Sequence, residues 1–93
     1  MLFRSTRPLT FSGTELRLNY STSAAGSVRV EICDASGQAV RGLTAAESVE
    51  IVGNEIDRVV TWKGDSRLAD WAGKPIRIRF LLKDADLFSF RFE

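Results

Sequence analysis

The chain predicts an all-β fold: a two-sheet antiparallel β-sandwich with jelly-roll-like topology. Three observations lead there. Apolar residues recur at every second position in almost every segment, turn residues divide those segments at short intervals, and only one short stretch has helical spacing. An immunoglobulin-like sandwich is set aside because no Cys…Trp…Cys pattern occurs.

Taken in order, "PLTF" gives a short strand at Leu9 and Phe11. In "ELRLNYS", Leu16, Leu18 and Tyr20 share one face, against Glu15, Arg17 and Asn19. "SVRVEICD" sets Val28, Val30 and Ile32 against Arg29, Glu31 and Cys33. "SVEIV" is a further short candidate, around Val49 and Ile51. "EIDRVVTWK" groups Ile56, Val60 and Trp62 inward. "PIRIRFLLK" does so with Ile76, Ile78, Phe80 and Leu82, and "LFSFRFE" with Phe88, Phe90 and Phe92. These make about seven strands of ordinary length. Between them lie turn sequences such as "SAAGS", "DASGQ" and "KDAD". Gly37 in Asp34-Ala35-Ser36-Gly37 is free to take positive φ. "DSRLADWAGKP" predicts one helical turn, with Asp65 or Ser66 as N-cap and Gly73 as stop.

Ninety-three residues suit one domain, which buries roughly 60–65% of its unfolded surface. A net charge of +1 gathers no polyanion, so no nucleic-acid partner is expected. No apolar run approaches the ~20 residues of a bilayer span, so no membrane partner is expected either. Without histidine, and with Cys33 as the sole thiol, imidazole catalysis, His/Cys zinc sites and intrachain disulfides are excluded within this chain. Alternation places Cys33 outward, as a partly exposed or interface thiol. The opening "MLFRS" has neither an apolar signal core nor a cleavage site, and Leu2-Phe3-Arg4-Ser5 is also what a common sequencing adaptor encodes. Residues 1–5 therefore read as a non-native leader and 6–93 as one domain.

Candidate chemistry is sparse. Arg77, Arg79 and Arg91 project outward because their neighbours project inward, and Glu15, Glu31 and Asp57 occupy equivalent outward positions, so the arginines read as an ion-paired wet face. Asp84 and Asp86 share a turn, but neither has the surroundings of a catalytic acid. Asp84, Asp86 and Asp34 are the carboxylates a structural calcium would use, although the loop lacks the dense acidic spacing of a dedicated site. No other cofactor is expected. Among aromatics, Trp71 in "LADWAGK" either caps one end of the sandwich or stands exposed as a stacking platform. Tyr20, at its strand end, could offer a hydroxyl to a ligand while its ring sits in the core.

From about residue 8 onward the motifs "LNYSTSAAGSVRVEI", "DASGQAVRGL", "IDRVVTWKG", "LADWAGKPIRIRF" and "LKDADLFSFRF" resemble a C-terminal module of planctomycete-type glycoside hydrolases similar to family 32. The resemblance implies a terminal β-sandwich that follows a catalytic β-propeller in a secreted or periplasmic enzyme. Cys33, Asn54 and Phe88 depart from that pattern, where polar, acidic and tyrosine residues are more usual. The propeller's acidic residues have no counterpart, so no enzymatic activity carries over. The leading expectation is a non-catalytic accessory module that packs against and stabilises the catalytic domain of the same polypeptide. Two others stand beside it: a carbohydrate-binding module presenting Trp71 or Tyr20 to polysaccharide, and a protein–protein adhesion module.

Overall fold

The computed structural model describes residues 2–64 and 66–93. Its strands are β1 (Leu2–Ser5), β2 (Leu16–Asp34), β3 (Asn54–Val59) and β4 (Ile76–Phe92), in one antiparallel sheet of order β1-β4-β2-β3. The all-β class is as the sequence predicts. The segmentation differs. "ELRLNYS" and "SVRVEICD" fuse into β2, and "PIRIRFLLK" and "LFSFRFE" fuse into β4. "PLTF" is reduced to a single bridge, Leu9–Ile76, and "SVEIV" to bridges at Ser48–Trp62 and Ile51–Val28.

A straight strand of 19 residues would run about 60 Å at ~3.3 Å per residue, yet the whole molecule extends only 35 Å along its longest axis. The β2–β4 ribbon must therefore fold over. The fold lies between the pairs Thr22–Ala85 and Ser27–Lys83, where residues 23–26 of β2 face Asp84 alone. Asp84 takes φ +44°, in the left-handed region. Gly26 sits directly against it, and a Cβ at this position would collide with the Lys83 and Asp84 carbonyls. Folding brings Leu16, Leu18 and Tyr20 from one half of β2 into one apolar cluster with Val28, Val30 and Ile32 from the other. Ile76, Ile78 and Phe80 of β4 complete that cluster with Leu43, Ile51 and Val60 from the intervening loops.

Beyond the bend, β2 has β4 on one side and loop on the other. Its free edge is closed piecemeal. Val28 and Ile51 exchange main-chain hydrogen bonds (2.8 and 3.0 Å), and Ile32 N–H donates to the Leu43 carbonyl (2.9 Å). Between them the Val30 N–H donates to Ser48 Oγ (3.2 Å), and Trp62 Nε1 donates to the Val30 carbonyl (3.0 Å). Ser48 is fully buried, so its hydroxyl supplies a partner that water cannot.

Three sequence expectations are corrected. Cys33 is 2% exposed rather than open, because the turn Asp34–Gln38 brings Ala39 back into a bridge beside it. Alternation assigns a side of the strand, and loops decide whether that side is wet. The helical turn is a 3₁₀ turn, Leu68–Trp71, with Arg67 at its N-cap. Ser66 instead donates to the Arg41 carbonyl (3.2 Å), and Asp65 lies outside the described residues. Ile56 and Phe88, expected inside, are 82% and 63% exposed. Leu2–Ser5, read as a leader, pairs with Leu82–Arg79 of β4 through the main chain, and all four of its residues are exposed.

Ser48→Ala should lower stability by roughly 1–3 kcal/mol in urea unfolding, since it leaves the Val30 N–H buried without a partner. The exposed Ser89→Ala should stay within about 0.5 kcal/mol of the parent. Equal midpoints for the two variants would contradict the edge-closing role.

Candidate functional site

The exposure of Ile56 and Phe88 has one cause. Next to Asn19 both neighbouring strands carry an extra residue. In β4 the register steps from Asn19–Ser89 to Tyr20–Leu87, leaving Phe88 over. In β3 it steps from Leu18–Arg58 to Tyr20–Glu55, so Ile56 and Asp57 both lie opposite Asn19. Such β-bulges redirect side chains and increase local twist. Here they lift one large apolar side chain on each flank of Asn19 onto the outer face.

Between them lies an open groove of about 660 Å³, floored by Asn19 and lined by Tyr20, Ser21, Asn54, Glu55, Ile56, Asp57 and Phe88. Its charges are already engaged. Asp57 accepts from Arg17 (2.8 Å) and from Arg91 (2.7 Å), and Arg17 also meets Glu15 and Glu93, each at 2.8 Å. Glu55 accepts from Arg58 (2.8 Å) and from the Tyr20 hydroxyl (3.1 Å). Arg58 first, then that hydroxyl, hold the Glu55 carboxyl below the usual range. The carboxamides are freer. Asn54 Oδ1 accepts from Ser21 Oγ (2.6 Å), while its Nδ2 has no partner among the described residues. The Asn19 carboxamide makes no hydrogen bond to any described residue, and no described polar side-chain atom is buried unpaired, so it opens to solvent.

The arginine stripe lies on the exterior, as the alternation implies, and two of its three members are ion-paired. Arg79 reaches Glu31 (3.4 Å), Arg91 reaches Asp57, and Arg77 Nε donates to the Ala35 carbonyl (3.0 Å). No cluster of three arginines faces a common hollow in these contacts.

The sequence-nominated residues are scattered. Tyr20 is 1% exposed, with its ring in the core and its one hydroxyl proton shared between the Val52 carbonyl (2.8 Å) and Glu55. It edges the groove but offers no ring face. Trp71 ends the 3₁₀ turn, half-buried against the core, with Lys74 Nζ 5.1 Å from its ring centroid. Asp84 and Asp86 are exposed at the ribbon bend. Asp34 is committed to its own turn: its Oδ1 accepts from Ser36 Oγ (2.6 Å) and from the amides of Ser36 and Gln38 (3.0 Å each). Those donors, the Ser36 hydroxyl foremost, hold its carboxyl below the usual range. Among the described residues no group of three or more acidic or cysteine side chains is arranged to hold a metal ion; the one gathering of three carboxylates named above closes on the Arg17 guanidinium. Burial pushes the Cys33 thiol up, with Glu31 adding to the shift, so its thiolate is disfavoured. No family model, curated protein or solved structure matches the chain.

The pH dependence of stability follows. Asp34, Glu47 and Glu55 have folded pKa values below their ordinary ones; for Glu47 the Thr44 hydroxyl is the main cause. Such groups stabilise above the ordinary carboxylate range and cease to do so as pH falls through the folded value. Tyr20 and Cys33 shift upward, chiefly through burial, so their contribution is present below their ordinary values and is lost as pH rises past them. Thermal melts should show a neutral plateau falling on both flanks, with Glu47→Gln flattening the acid flank. A Tm that rises as pH drops below about 4 would contradict these assignments.

Proposed function

We propose that this chain is a non-catalytic accessory module that works by binding through the Asn19 groove, and that its folded ribbon is one of two facing layers of a jelly-roll-like β-sandwich. The observation that carries the reading is the pair of bulges. Burying a large apolar side chain is worth about 1.5–3 kcal/mol, so a strand serving stability alone would keep Phe88 inside. Instead the register slips beside Asn19 on both flanks, and two apolar side chains stand out on a face whose charges are paired. Large apolar groups exposed on both walls of one groove are what a binding site presents.

The groove does not suit catalysis. Asp57 and Glu55 are both paired with arginines, and Arg58 holds the Glu55 carboxyl below its usual range, which suits neither for donating a proton as a general acid. The resemblance to a glycoside hydrolase C-terminal module supplies the setting, an accessory unit of a secreted or periplasmic polysaccharide-degrading enzyme. In that setting the catalytic domain of the same polypeptide is the other natural occupant of the groove.

The test is a double substitution, Ile56→Ser with Phe88→Ser, read by thermal melting and by reducing-sugar release from a panel of polysaccharides. The Tm should shift by no more than a few degrees, as for exposed residues, and neither parent nor variant should release sugar. A fall in Tm matching that of a core variant such as Leu18→Ala would show that the pair is structural. Sugar release by the parent that the double variant loses would show that the groove is catalytic.

A further inference from the structure

The groove's unspent chemistry narrows what it takes. Its carboxylates are bound to arginines, and the nearest arginines are bound to carboxylates. What remains is uncharged: the Asn19 carboxamide, with donor and acceptor both free, and the Asn54 amino group. Beside them stand the Phe88 ring and the Ile56 side chain, roughly 10 Å apart across two strand spacings. An anion meets no free cation here, and a cation meets no free carboxylate. An extended peptide adding a strand would pair with the outer edge of β3, or of β4 beyond its bend, and would leave the Asn19 carboxamide on the central strand unused.

Resting on the binding reading above, we infer that the groove holds a neutral polyhydroxylated chain, a segment of uncharged glycan. One sugar ring lies with its C–H face on Phe88, and its hydroxyls exchange hydrogen bonds with the Asn19 and Asn54 carboxamides. Carboxamides match hydroxyls because each side both donates and accepts. The apolar ring takes the C–H face that water solvates poorly. The volume of about 660 Å³ sits within the range of about 300–1,000 Å³ usual for ligand sites, and its openness admits a chain passing through rather than an enclosed end.

Native affinity electrophoresis of the 93-residue chain tests this, in gels containing xylan, β-glucan, mannan or fructan, or the anionic pectate and alginate. At least one neutral polysaccharide should retard the parent chain, and 0.5 M NaCl in the gel (roughly three times physiological ionic strength) should leave that retardation unchanged. Phe88→Ala and Asn19→Ala should each weaken it about tenfold or more, with Asn19→Gln restoring part, while Trp71→Ala leaves it intact. Circular dichroism of each variant separates loss of binding from loss of fold. The inference is overturned by no retardation on any neutral polymer. Retardation confined to pectate or alginate and lost in salt also overturns it, as does retardation that survives Phe88→Ala. A concentration-dependent dimer abolished by Phe88→Ala would assign the groove to a second copy instead. Clearing of the polysaccharide around the parent band would defeat the non-catalytic reading, whereas absent retardation without clearing defeats only the glycan.

Discussion

The pairing of β2 with β4 sets everything else in this chain. Fifteen registered pairs run from Leu16–Phe92 to Asp34–Ile76, and the core residues of both strands are matched through them. The ribbon is too long for the molecule to hold straight, so hydrophobic burial and ladder geometry conflict. The conflict is settled at one place, where Gly26 presses on the Lys83 and Asp84 carbonyls and Asp84 turns left-handed. With the ribbon folded, both halves bury the same side, and the loops need only supply Leu43, Ile51 and Val60 to fill the remaining space.

The second constraint is local, and it is where function enters. A β-bulge changes which side chain faces in without changing the sequence pattern on either side. Between Leu82 and Phe90 the inward parity of β4 flips to Ala85 and Leu87 at Asp84, then flips back at Phe88. The two slips cancel. Paired with the matching irregularity of β3, the second slip sets Phe88 and Ile56 astride Asn19 on an exterior otherwise given to ion pairs. Surface ion pairs of that kind contribute little stability each, about 0–1 kcal/mol. Their larger effect here is to leave the groove without free charge.

That cancellation explains what could be read in the sequence. Leu16, Leu18, Val28, Val30, Ile32, Ile76, Ile78 and Phe80 follow unbroken alternation and are all buried, so the all-β class and most of the core were legible. The fusion of four predicted strands into two was not, because "STSAAGS" and "KDAD" carry ordinary turn composition and only their pairing with each other makes a ribbon bend of them. Phe88 was misplaced because "FSFRF" alternates perfectly on its own. The available signal was the neighbour: Leu87 and Phe88 are adjacent and both apolar, and one strand cannot point both inward. For Ile56 even that signal is missing, since its displacement depends on how β3 meets β2. Tyr20 and Trp71 attracted attention as aromatics, yet a ring's availability depends on what covers it, which local sequence does not encode.

The register beside Asn19 can be measured directly by nuclear Overhauser contacts across the strands. Contacts linking Asn19 to Ser89 and Tyr20 to Leu87, with Phe88 ring protons showing no contact to Leu16, Leu18 or Phe80, are the predicted result. An unslipped ladder that joins Tyr20 to Phe88, with the Phe88 ring among those core side chains, would remove the groove and with it the functional assignment.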